Sequence, residues 1–231
     1  MVSQTQAKIT PQTAVQAVIF DLDGVLINSE WLAFKAWQRL AREYGGTLPE
    51  SAFSAMAGIS AEATADYVMQ HAGVTFDSNM SVDWIWREMT TLLQTQAEAM
   101  PGALALVHEL ARRGYRLAIA SNSITPYVDT ALSVLGLLDC FPVRACIDQV
   151  AEGKPAPDVY LRAAELSGVD PRRCLAVEDS RTGVQAAAVA GMHVIAVPAE
   201  HDPHAGFTAA WKVFPSLVHV QKDLNQLLDL K

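Results

Sequence analysis

Five short apolar runs, each closed by polar or small residues, constrain this chain more than any other feature. They are residues 15–20 before Asp21, 116–120 before Ser121, 144–147, 174–177 before Glu178, and 194–197 before Pro198. Between the later runs lie segments of helical periodicity. Residues 103–113 carry apolar side chains at 104, 107, 110 and 111 and stop at Gly114. Residues 127–135 stop at Gly136, 158–167 at Gly168, and 182–190 at Gly191. Glycine past the last helical residue is an ordinary left-handed stop and carries no functional weight. Strand, helix, strand in alternation predicts a parallel sheet with helices on both faces. The expected fold class is α/β, a three-layer Rossmann-like sheet core.

Residues 31–100 break the alternation. Trp31, Phe34, Trp37, Ala41 and Tyr44 fall at helical spacing before Gly45-Gly46. Ser60 reads as the cap of a helix running to His71. Ser81 reads as the cap of another, with Ile85, Trp86, Met89, Leu92 and Leu93 along one face. A crossover between parallel strands needs about a dozen residues, and the helix at 103–113 already supplies it. Residues 31–100 are therefore surplus to the sheet and are expected to form an inserted α-helical cap domain. Residues 15–30 and 101–231 then make the core domain, and 1–14 a polar tail.

Composition narrows the function. At 51% hydrophobic residues, the 231-residue chain is too apolar to stay disordered. Seventeen basic against 25 acidic residues leave a net charge of −8. That balance argues against nucleic acid and anionic membrane as partners, since both need excess Lys and Arg. No apolar run reaches the roughly 18 residues of a membrane span. The first residues lack the hydrophobic stretch of a secretory signal. Cys140, Cys146 and Cys174 follow no metal spacing and read as reduced thiols. The expectation is a cytoplasmic protein, monomeric or weakly oligomeric.

In an open α/β sheet, ligands bind outside the carboxyl ends of the strands. The first run delivers Asp21 and Asp23 there, the second Ser121 and Asn122, and the fourth Glu178 and Asp179; Lys154 follows the third. Any one of these motifs alone reads as a turn or a helix cap. Together they converge four carboxylates, a lysine and a hydroxyl on one edge. The carboxylates and lysine sum to −3, and like charges at close range cannot all ionise uncompensated. An all-oxygen donor set suits magnesium rather than zinc. Lys154 and Ser121 remain to hold an anion. A metal beside an anion pocket beside a free Asp describes phosphoryl transfer.

The motifs Asp21-Leu22-Asp23-Gly24-Val25-Leu26, Ser121-Asn122, Gly153-Lys154-Pro155 and Glu178-Asp179-Ser180 with Gly183 resemble the four motifs of the haloacid dehalogenase superfamily. More narrowly they resemble its phosphatase and β-phosphoglucomutase branch, with a helical cap between motifs one and two. The resemblance implies that Asp21 is a nucleophile forming an aspartyl-phosphate and that Asp23 is general acid and base. It implies a magnesium ion held by Asp21, the Asp23 backbone carbonyl and Asp179, with Glu178 in or just behind that shell. Ser121, the Asn122 amide and Lys154 would bind the phosphoryl oxygens, helped by the amides of residues 22–24.

Asp23 also bears on the branch. Cleaving a phosphate ester requires a proton for the alkoxide, and dehalogenases of this superfamily lack an acid two residues after the nucleophile. The mutases carry a His in the first cap helix, aligned here with Ala33. They carry basic residues flanking a cap glycine aligned with Gly58, where this chain has Ala57 and Ala61. Their absence favours hydrolysis over a β-phosphoglucomutase-like reaction. A non-catalytic phosphate-binding regulator could dispense with Asp21 or Asp23, and this chain keeps both. The cap carries four basic and eight acidic residues, a net of −4, so it is a poor clamp for a second phosphate. The expected substrate is a small phosphate ester with a neutral leaving group, a sugar or polyol phosphate. Glu30 and Gly58 are its candidate contacts in the cap and hinge. Trp31 reads as packing, and His201 and His204 as polar loop residues.

Overall fold

The computed structural model describes residues 15–56, 61–198 and 206–229. Among them, six strands form one parallel sheet in the order β3-β2-β1-β4-β5-β6. They are β1 Ala17–Phe20, β2 Arg116–Ser121, β3 Val143–Cys146, β4 Cys174–Glu178, β5 His193–Ala196 and β6 Lys212–Val213. Helices α1 Glu30–Glu43, α2 Phe53–Met56, α3 Ala61–Ala72 and α4 Ser78–Gln96 lie between β1 and β2. The rest are α5 Ala103–Arg112, α6 Thr125–Val134, α7 Asp158–Ser167, α8 Arg181–Val189, α9 Leu217–Lys222 and α10 Leu224–Leu228.

The sheet is buried on both sides, which is why its strands read as continuous apolar runs rather than as alternating ones. Residue size nevertheless alternates. Val18, Phe20, Leu117, Ile119, Leu175 and Val177 face the cluster that includes the buried sides of α5 and α6. Ala17, Ala118, Ala120 and Ala176, with Ile19 as the large exception, face α7 and α8, whose own contacts include Ala163, Ala164, Ala186 and Ala187. Small residues on both surfaces let those helices approach the sheet closely, and they do so on the face where the carboxylates emerge.

Buried residues of the insert, including Trp37, Phe76, Met89 and Leu93, belong to the same apolar cluster as Val18 and Phe20. The insert's entry and exit are tied by backbone pairing. Ile27 bridges Ala99, Asn28 N donates to Glu98 O at 2.9 Å, and Met100 N donates to Leu26 O at 3.0 Å. Ser81 is not a helix cap. It lies inside α4 and is buried, its amide donating to Asp77 O at 3.0 Å. The helix begins three residues before Ser81, at Ser78. Ser60 lies outside the described residues. None of the three cysteines is paired, and burial pushes the Cys146 and Cys174 thiols up to about 11 and about 12. Among the described residues no helix is long and apolar enough to cross a membrane.

Candidate active site

The sheet order reverses its direction of growth between β1 and β4, and the site forms at their carboxyl ends. Phe20 is in register with Val177 on one side and Ile119 on the other. The next residue, Asp21, therefore emerges beside Glu178, and its amide donates to Val177 O at 3.0 Å. Strand alternation puts both carboxylates on the Ala17 and Ala176 face, toward α7. A cleft of about 230 Å³ opens here, lined by Asp21, Asp23, Ser121, Asn122, Lys154 and Asp179 among others.

Lys154 is the hub. Its Nζ donates to Asp21 Oδ1 and to Glu178 Oε1, both at 2.6 Å, and lies 5.1 Å from the Tyr160 ring centroid. Glu178 is fully buried. Its Oε1 also accepts from Tyr160 OH at 2.7 Å, and its Oε2 accepts from Asp179 N, Ser180 N and Ser180 Oγ at 3.1–3.2 Å. Burial acts to lower the Lys154 ammonium, but the two carboxylates together outweigh it and hold it above its usual range. Asp21 moves the other way. Burial raises its carboxyl to about 7, against the pull of Lys154 and with help from Glu178 and Asp23. Burial, then Asp21 and Glu178, push Asp179 well above the ordinary carboxylate range.

Those shifts test whether a metal fits. Two like unit charges about 4 Å apart repel by about 4 kcal/mol at the effective dielectric of a protein, so this cluster resists full ionisation without a further cation. One oxygen each from Asp21, Glu178 and Asp179 lies within 4.8 Å of the others. A Cβ at Gly24 would run into the Asp179 carboxylate, so the glycine leaves that carboxylate its place. The donors are all oxygens, which suits a hard divalent ion. Within the trio, Glu178 already accepts five hydrogen bonds, so Asp21 and Asp179 have the oxygens freer to take up an ion.

Asp23 is held by two residues that the sequence pattern did not single out. Ser123 Oγ donates to its Oδ2 at 2.6 Å, and Tyr127 OH donates to its Oδ1 at 3.0 Å. Burial and then the Asp23 charge hold the Tyr127 phenol well above its usual 10, so it remains a donor. Tyr160 was missed likewise. Both tyrosines sit at apolar helix positions, where periodicity reads a tyrosine as core and says nothing of its hydroxyl.

Ser121 and Asn122 are in the cleft. Ser121 Oγ accepts from Ser123 N at 3.0 Å. The Asn122 side chain grips the Lys154 backbone, its Oδ1 accepting from Lys154 N at 2.8 Å and its Nδ2 donating to Lys154 O at 3.3 Å. One expectation is corrected. The Gly24 amide is not open to an anion, because it donates to Ile27 O at 2.9 Å in the turn that leaves β1.

Glu30 is the first residue of α1 and lines the cleft. Trp31 stacks on Phe34 at 5.4 Å and meets Phe53 edge-on at 5.2 Å, as a packing residue does. Gly58, Ala57, His201 and His204 lie outside the described residues.

A family model described as haloacid dehalogenase-like hydrolase matches residues 18–197. The validoxylamine A 7'-phosphate phosphatase of Streptomyces hygroscopicus subsp. limoneus is 32% identical over 191 residues, covering 82% of this chain and 89% of that protein. Hexitol phosphatase A of Escherichia coli (strain K12) is 34% identical over 185 residues, covering 80% and 83%. Among solved structures, CbbY from Rhodobacter sphaeroides in complex with phosphate matches with a TM-score of 0.77 at 26% identity, over 89% of this chain and 96% of that one. The parallel sheet, its strand-end carboxylates and these likenesses agree: the chain belongs to the haloacid dehalogenase-like hydrolase family, in its phosphatase branch.

Proposed function

We propose that this protein is a magnesium-dependent phosphomonoester hydrolase of small phosphorylated metabolites, working through an aspartyl-phosphate on Asp21. The observation that carries this reading is the joint placement of Asp21, Lys154 and Asp179, with Asp23 two residues on and held by two hydroxyls. An Asp21 carboxylate oxygen attacks phosphorus as the bond to the leaving alkoxide breaks. Asp23 gives that alkoxide its proton. Water then attacks the phosphorus of the aspartyl-phosphate, Asp23 takes the water's proton, and Asp21 is regenerated as phosphate departs. Lys154 and Ser121 bind the phosphoryl oxygens, and Glu178 keeps Lys154 in place. Asp21, Asp179 and the Asp23 carbonyl would hold magnesium, with Glu178 behind them. Bound there, the ion supplies positive charge against the phosphoryl oxygens.

A neutral leaving group such as a sugar or polyol fits the acidic insert, which offers little to a second phosphate. The hexitol phosphatase relative is in keeping with that class. Residues 31–100 would act as a cap over the cleft, with Glu30 at its edge placed to meet substrate hydroxyls. Hydrolysis is preferred to a mutase reaction because Ala33, Ala57 and Ala61 stand where the resembling mutases have the His and the basic residues.

The test has two parts. Asp21→Asn should remove magnesium-dependent turnover of p-nitrophenyl phosphate with the circular dichroism spectrum unchanged; near-native activity in that variant refutes the nucleophile. A screen over sugar, polyol, nucleotide and bisphosphate substrates should favour neutral monophosphates and release free phosphate. Phosphate migration without release would instead mean a mutase.

A further inference from the structure

The Tyr127 hydroxyl is unexplained by packing. Its ring is fully buried in the larger apolar cluster, where a phenylalanine would fill the same space. A buried hydroxyl costs free energy unless it is bonded, and this one donates to Asp23 Oδ1 at 3.0 Å. The ring meets Trp86 of α4 edge-on, with centroids 5.2 Å apart and planes at 71°. One side chain on α6 thus touches the loop after β1 and the insert's long helix. Ser123 engages the other Asp23 oxygen at 2.6 Å.

We propose that Tyr127, together with Ser123, is a positioning residue for Asp23: the two hydroxyls fix the plane of its carboxylate so that the remaining lone pairs face the cleft. This rests on Asp23 being the acid of the proposed reaction. Each carboxylate oxygen can accept two hydrogen bonds, so one bond to each fixes orientation and still leaves room for the transferred proton. Trp86 and the surrounding apolar cluster keep the ring from drifting. A misplacement of about 1 Å in such a group costs on the order of 100-fold in rate.

The experiment reads kcat/KM, which reports the step in which the leaving group departs. Glycerol phosphate has a poor leaving group that needs a proton, and dinitrophenyl phosphate has one that does not. Tyr127→Phe should lower kcat/KM on glycerol phosphate by about 10- to 100-fold. On dinitrophenyl phosphate the loss should be less than about 3-fold. Ser123→Ala should show the same asymmetry and serves if Tyr127→Phe folds poorly. Adding Tyr127→Phe to Asp23→Asn should cost nothing further on glycerol phosphate, because the group it positions is already gone. Equal losses on both substrates, or additive losses in the double variant, would make Tyr127 a structural residue and overturn the proposal. If Asp23→Asn alone keeps its activity on glycerol phosphate, the assignment of the acid fails first. If Asp23→Asn is inactive there and Tyr127→Phe matches wild type, only the positioning role fails.

Discussion

A Cβ added at Gly183 would run into the Glu178 carboxylate. Gly183 lies in the first turn of α8, where alanine normally stabilises a helix by about 1 kcal/mol. Here the opposite sign is expected. Glu178 is fully buried with five hydrogen bonds and cannot step aside without leaving Lys154 with one carboxylate. Overpacking of a tight site costs about 1–3 kcal/mol, so Gly183→Ala should lower stability by ~1 kcal/mol net of the helix gain. Urea denaturation checks this, and a midpoint at or above wild type would show that Glu178 has slack. The motif glycine was legible in the sequence as part of a pattern. Its physical reason, a carboxylate in van der Waals contact with its α-carbon, was not, because that contact joins α8 to the end of β4 only after the turn has closed.

At the scale of elements, the end of β4 and the start of α8 form one device. Ser180 caps α8, its Oγ accepting from Gly183 N at 3.1 Å, while the same hydroxyl donates to Glu178 Oε2 at 3.1 Å. A lost cap costs about 1 kcal/mol. A lost hydrogen bond to a buried charge costs about 1–3 kcal/mol. Ser180→Ala should therefore destabilise by ~2–4 kcal/mol, beyond an ordinary cap; a loss within about 1 kcal/mol in chemical denaturation would mean that the Glu178 contact contributes nothing. The main strands and helices were readable from apolar runs and glycine stops, to within a residue or two. β6 was not, because two half-exposed residues, Lys212 and Val213, leave no periodicity to read. The start of α4 was misplaced at Ser81 for the converse reason: a serine before an apolar face resembles a cap even when the helix has already begun.

At the scale of the whole molecule, four carboxylates and one lysine gather where the sheet reverses. Asp21 is raised to about 7 and Asp179 is raised well above the carboxylate range, in each case first by burial and then by neighbouring carboxylates. From about pH 4, where these groups titrate in the unfolded chain, to about 7, the metal-free native state holds more protons than the unfolded state. The stability of the metal-free protein should therefore fall as pH rises through that window. Magnesium held there as proposed would bind the ionised carboxylates, so its stabilising effect should grow over the same window and level off above it. Melting temperatures across the window, with and without magnesium, check both trends; a magnesium shift independent of pH would contradict the assignment of Asp21 and Asp179 as ligands. That the strand-end residues Asp21, Ser121 and Glu178 reach one edge was determined by the sequence alone. Strand runs carry their own periodicity, and parallel strands present their carboxyl ends on one side whatever the order in which they pair. How those residues serve one another was decided only by the tertiary structure. Register set Asp21 beside Glu178, the connection from β3 to α7 brought Lys154 between them, and packing of α6 and α7 delivered the Tyr127 and Tyr160 hydroxyls. These hydrogen bonds join residues from 18 to 133 positions apart, and periodicity records burial but not the partner a buried hydroxyl will find.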